Sequence, residues 1–156
     1  GSYPPRHISV ARSLNNLAFL LLEKAEYKDA EELYRQASHI VSEQLGPNHI
    51  EVATSLNGLA VVHKKCGKLR EAESLYREVL MLQENSLPAD HPDIAVTFNN
   101  LASLQQNQGL FDMSEKSYRR ALETRKARFG QAHPLVAASL GNLASLMNDK
   151  GQYDES

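Results

Sequence analysis

His91-Pro92-Asp93-Ile94-Ala95-Val96-Thr97-Phe98-Asn99-Asn100-Leu101-Ala102, running on to Gly109, is the stretch that decides the fold. Shifted back by 42 residues it falls on His49-Ile50-Glu51-Val52-Ala53-Thr54-Ser55-Leu56-Asn57-Gly58-Leu59-Ala60, with Gly67 in place of Gly109. A second step back meets His7-Ile8-Ser9-Val10-Ala11-Arg12-Ser13-Leu14-Asn15-Asn16-Leu17-Ala18. A step forward meets His133-Pro134-Leu135-Val136-Ala137-Ala138-Ser139-Leu140-Gly141-Asn142-Leu143-Ala144, with Gly151. The four copies stand in register with no insertion between them. A fixed period of this size marks a solenoid, in which each unit buries its face only against its neighbours.

The copies are residues 7–48, 49–90, 91–132 and a partial 133–156, expected to form one array. Residues 1–6 read as a scar, Gly1-Ser2, and an extended lead-in, Tyr3-Pro4-Pro5, because proline disfavours helix in the residue before it. Each copy then reads as two helices. In the first, Leu14, Leu17, Ala18 and Leu21 recur at the spacing of one apolar stripe. Its counterparts are Leu56, Leu59, Ala60 with His63; Phe98, Leu101, Ala102 with Gln105; and Leu140, Leu143, Ala144 with Met147. Alanine in the same place four times predicts a close helix–helix contact. Gly67, Gly109 and Gly151 sit where a helix ends in a left-handed residue, a place that Ala25 takes in the first copy.

The second helix is expected to start at Tyr27, Leu69, Phe111 and Tyr153, and to run to about Leu45, Ser86 and Phe129. Acidic residues fill its first turn, as the helix dipole favours. Tyr34, Tyr76 and Tyr118 recur on its inner stripe and are expected to be packing residues. Pro92 and Pro134 suit helix openings, and Asn48 with Glu51 and Asp90 with Asp93 read as capping pairs. The fourth copy stops at Ser156 with its second helix barely begun, so the chain reads as an excerpt. Its apolar stripe is then expected to fray or to support self-association.

With a net charge of −2 and a pI near 6.3, the chain has no electrostatic footprint for nucleic acid. The longest apolar run, Leu17 to Leu22, is too short to span a bilayer. Cys66 is the only cysteine, which excludes an internal disulfide and points to a reducing, cytoplasmic setting. The repeat-initial histidines lie one per copy, so packed helices would hold them roughly 8–10 Å apart, too far to share one metal ion. No phosphate loop, carboxylate pair or nucleophile elbow appears, and neither a catalytic function nor a cofactor is expected.

The pattern Ala-x3-Leu-x2-Leu-Ala-x6-Gly-x-[Leu/Phe/Tyr]-x2-[Ala/Ser]-x3-Tyr resembles the tetratricopeptide (TPR) signature, with Leu or Phe where that signature has Trp. The 42-residue form, with its Leu-Asn-Asn-Leu-Ala step and histidine opening, looks like the repeats of kinesin light chains and nephrocystin-like proteins. The resemblance implies an all-α fold, a right-handed TPR superhelix (α-solenoid) of antiparallel helix pairs. It also implies a groove, lined by first helices, that holds a peptide segment of a partner protein.

A helical wheel places Arg12, Asn15, Asn16, Phe19 and Glu23 opposite the core stripe of the first copy. The same face carries Asn57, Val61, Lys64 and Lys65 in the second copy, Asn99, Asn100 and Ser103 in the third, and Asn142 in the fourth. Asparagine pairs with both N–H and C=O of an extended peptide, yet it is a poor residue for a helix interior, so its recurrence calls for a reason. In the family the Asn before the Leu-Ala step contacts peptide, which carries over to Asn16, Asn100 and Asn142; Gly58 breaks the ladder. Phe19 and Val61 beside Arg12, Lys64 and Lys65 suit an apolar anchor flanked by acidic residues. The competing reading is a structural spacer or self-association solenoid whose groove stays empty.

Overall fold

Three-residue turns fold each first helix back onto a second. The computed structural model describes residues 7–155, so the lead-in Tyr3-Pro4-Pro5 lies outside the described residues. Among the described residues are α1 (Ile8–Glu23), α2 (Tyr27–Leu45), α3 (Val52–Lys65), α4 (Leu69–Ser86), α5 (Pro92–Asn107), α6 (Phe111–Phe129) and α7 (Pro134–Glu155). They fall into two compact units that divide between Leu82 and Gln83. The first holds α1 to α3 and most of α4; the second holds the last turn of α4 and α5 to α7.

The turns share one hydrogen-bond pattern. After α1, Glu26 N–H donates to Leu21 O at 2.9 Å and Ala25 N–H to Leu22 O at 3.0 Å. After α3, Lys68 donates to His63 O and Gly67 to Lys64 O, and after α5 Leu110 donates to Gln105 O and Gly109 to Gln106 O. This pairing needs a left-handed residue at its centre. Gly67 and Gly109 have φ of 79° and 78°, and Ala25 holds φ 62° despite its Cβ.

Gly151 does not follow them. It lies inside α7, which continues to Glu155, and no second helix begins at Tyr153. Contacts with the start of α6 hold this last stretch in line. Lys150 Nζ donates to Asp112 Oδ1 at 2.9 Å, and Tyr153 meets Phe111 edge-on with centroids 5.5 Å apart.

The helix openings also depart from the expected capping pairs. His91 Nδ1 accepts the Asp93 N–H, His133 Nδ1 accepts that of Leu135, and His49 Nδ1 that of Glu51, each at 3.1 Å. At His91 and His133 the imidazole nitrogen reaches the second N–H of the helix as a serine or aspartate oxygen would, whereas His49 holds the N–H of Glu51, the residue just before α3. Asn48 and Asp90 stand one residue too early for that reach, and Asp90 lies 4.0 Å from Arg128 instead.

In the first unit Ala18, Ala30, Tyr34, Leu59 and Val62 form one core cluster, and Ala11, Ile40, Val41, Val52 and Val79 belong to another. In the second, Ala102, Tyr118, Leu122, Val136, Leu143 and Leu146 pack together. The predicted stripe is buried only where a second helix covers it. Leu17 is 48% exposed, whereas its counterparts Leu59 and Leu143 are buried against α2 and α6. Ala144 is exposed too, as are Leu140 at 50% and Met147 at 37%, because no following helix lies over α7 among the described residues. On the outer faces Glu31–Arg35, Glu73–Arg77 and Glu115–Arg119 repeat one i,i+4 ion pair, each contributing about 0.3–0.5 kcal/mol.

Two stability predictions follow from the helix ends. Ala25→Gly relieves a left-handed Cβ and should stabilise the chain by about 1 kcal/mol, read by chemical denaturation. His91→Ala removes a cap and should cost about 1 kcal/mol, while His91→Asn should retain most of it.

Candidate functional site

The wheel faces of α1 and α3 meet in the first unit. Asn15, Asn16, Phe19, Leu22 and Glu23 from α1, Thr54, Asn57, Gly58 and Val61 from α3, and Tyr34 from α2 line a cavity of about 390 Å³. Phe19 is 54% exposed and forms one wall. Gly58 explains the break in the asparagine ladder: a Cβ there would lie 2.3 Å from Tyr34 Cε1 and Cζ. The tyrosine ring fills the space that a side chain at position 58 would take. Arg12 lines a smaller neighbouring cavity of about 140 Å³ and is held by Glu51, 3.3 Å away. Lys64 and Lys65 lie in the last turn of α3 and do not line the larger cavity.

The asparagine doublet divides into two kinds of residue. Asn15 Oδ1 accepts the hydroxyl of buried Ser55 at 2.9 Å. Asn99, with its amide oxygen turned inward, accepts from Arg125 Nη1 at 2.9 Å and Nη2 at 3.0 Å; that orientation is assigned from the donors around it. Asn57 Oδ1 is buried and has no partner among the described residues. The first asparagine of each doublet therefore turns toward the packing. Asn16, Asn100 and Asn142 are exposed or half-buried, and their side chains bond to no described residue. Ser103 lies within hydrogen-bonding reach of the Tyr118 hydroxyl, which also donates to Gln106 Oε1 at 3.1 Å. Burial raises the Tyr118 hydroxyl above its ordinary pKa, with the Asp149 carboxylate adding to the rise and the Ser103 bond opposing it.

Arg125 was not on the sequence-derived face. It is 8% exposed, and its Nη1 donates to Ser139 Oγ at 2.9 Å and Leu135 O at 3.2 Å. All its partners are neutral, and burial lowers its pKa from the ordinary guanidinium value. The signal lay in the period: Ser55, Thr97 and Ser139 are 42 apart, as are Val41, Gln83 and Arg125. Gln83 Oε1 accepts the Thr97 hydroxyl at 2.8 Å, so the Gln83 and Arg125 copies pair in the same way. Tyr34 and Leu22 were likewise absent from the predicted face, although each lines the cavity, and Glu23, which the wheel placed there, lines it too.

Among the described residues, no group of three or more His, Cys, Asp and Glu side chains is placed to hold a metal ion. No helix there is long and apolar enough to cross a membrane.

The tetratricopeptide repeat family model matches residues 9–85 and 93–156, and the chain belongs to that family. A comparison with curated proteins gives no match. Among solved structures, the chain is similar to the nearly identical TPR-like repeats of a kinesin light chain from Podosopora anserina. The identity is 25% and the TM-score 0.82, over 96% of this chain and 71% of that one. BtubC (BKLC) from P. vanneervenii has 24% identity and a TM-score of 0.85, over 98% of this chain and 61% of that one. The first TPR of Spaghetti, bound to an HSP90 peptide, shares the fold at 13% identity with a TM-score of 0.66, over 96% and 99% of the two chains. The fold is thus the all-α TPR fold, kinesin-light-chain-like in its neighbours.

The cavity depends on Gly58. Gly58→Ala should push the Tyr34 ring from its place and cost about 1–3 kcal/mol in thermal denaturation.

Proposed function

We propose that the chain is a non-catalytic protein-interaction module that binds a short, extended segment of a partner protein on the faces of its first helices. The observation that carries this reading is the division of the doublet. Asn16, Asn100 and Asn142 recur at one register with amides bonded to no described residue, while Asn15 and Asn99, which precede the first two, turn inward. A free amide at a fixed helical position matches the alternating donors and acceptors of an extended backbone. Phe19 and Val61 supply the apolar surface for an anchor side chain.

Charge favours acidic residues in the partner near Lys64 and Lys65. Neither lysine has an ion-pair partner among the described residues. The similarity to kinesin light chain repeats supports an adaptor-like role, and the kinesin-light-chain type of adaptor is the one we favour.

The exposed apolar residues of α7, Leu140 and Met147, favour a second reading, self-association in a scaffold. Sedimentation at several concentrations separates the two. The test of the first is titration of peptides selected on the wild-type chain. Asn100→Ala should weaken them by about 1 kcal/mol, and Lys65→Glu should weaken acidic ones further and reduce their salt sensitivity. Wild-type affinity in both variants would overturn binding on this face.

A further inference from the structure

Tyr34 and Tyr118 occupy the same register, 84 residues apart, and both are buried. Their hydroxyls are treated differently. That of Tyr118 reaches Gln106 and Ser103, whereas the corresponding residues of the first copy are Leu22 and Phe19, which offer no polar atom. The Tyr34 side chain is only 4% exposed, lines the α1–α3 cavity, and makes no hydrogen bond to a described residue. The buried unpartnered oxygen of this lining is Asn57 Oδ1, so a donor entering the cavity has two acceptors to meet, the Tyr34 hydroxyl and that amide.

Glu23 stands at the rim of the same cavity. It is exposed, pairs with no cation among the described residues, and is the only charged side chain lining the space. The rest of the wall is largely apolar, from Phe19, Leu22 and Val61. An occupant that satisfies these surroundings needs an apolar stem, an N–H donor for the tyrosine oxygen, and positive charge for the carboxylate.

We infer that the cavity between α1 and α3 takes an arginine side chain of the partner segment, an assignment that rests on the peptide-binding reading above. The methylene stem lies along Leu22 and Val61. The planar guanidinium faces the Phe19 ring, whose π-system attracts a cation, and directs separate N–H groups to Tyr34 Oη and the Glu23 carboxylate. Lysine brings the charge without the flat fork. Leucine leaves both oxygens unmet, and glutamate sets a second negative charge beside Glu23.

The test uses the whole chain, isotopically labelled for NMR, and four nine-residue Gly/Ser peptides that differ only in a central Arg, Lys, Leu or Glu. The Arg peptide should shift the amides of Asn16, Phe19 and Gly58 and bind about five-fold or more tightly than the Leu peptide. Tyr34→Phe keeps the ring that packs on Gly58 and should weaken the Arg peptide several-fold; Glu23→Gln should weaken it similarly and remove most of its salt dependence. Equal or tighter binding of the Leu or Glu peptide at those amides overturns the arginine assignment and leaves the binding face standing. So does an Arg peptide that shifts none of them while selected partner peptides still depend on Asn100. If those selected peptides also ignore Asn100→Ala, the broader reading falls with it.

Discussion

Everything in this chain depends on how closely a first helix can approach the second that follows it. At the α1–α2 crossing the facing residues are Ala18 and Ala30, both fully buried, and their counterparts in the next copy, Ala60 and Ala72, are fully buried as well. In the α5–α6 pair the second partner is serine, and Ser114 Oγ donates to Ala102 O at 2.7 Å, which is possible only because neither residue has a longer side chain. Small residues at the crossing let larger ones such as Tyr34 and Tyr118 close over its edges. That approach carries the first-helix faces and the cavity with them.

Much of this architecture was legible because a repeat makes the sequence its own alignment. The starts at Tyr27, Leu69 and Phe111 and the ends at Leu45, Ser86 and Phe129 fall where the acidic first turns and glycine punctuation put them. Ala25 is legible for the same reason, since two glycines at its register imply its left-handed backbone. The misses are places where a local rule met a three-dimensional one. Histidine is seldom considered as a cap, so Asp90 drew the assignment that belongs to His91, and Asn48 drew one at an opening where His49 bonds Glu51 ahead of α3. Gly151 matches the punctuation, but its neighbours are tied to α6 and the helix runs on. Leu17 matches the stripe, yet burial requires a covering helix, which a period cannot supply.

The face proposed for binding was legible in its direction and illegible in its detail. A wheel gives direction, so it gathered Asn15, Asn16, Phe19, Asn57 and Val61, which the cavity brings together. It does not tell an amide turned toward water from one turned toward the next helix, and so it treated Asn15 and Asn99 as equivalent to Asn16 and Asn100. Nor does it reach across to the second helix, from which Tyr34 and Arg125 enter. The two omissions have one cause: side chains that cross between helices belong to the contact and not to either helix's pattern.

Near-identical repeats invite slippage, since one unit can be mistaken for the next while the chain is folding. The positions of Val41, Gln83 and Arg125 act against that confusion. Val41 lies in an apolar cluster with Ala11, Val52 and Val79, whereas Arg125 sits among an amide, a hydroxyl and a carbonyl. Exchanging their places would bury a guanidinium in hydrocarbon and strand Asn99 and Ser139 without a donor, a penalty of several kcal/mol. Each copy thereby carries a buried address, written in polarity, that admits its own neighbour and rejects the others.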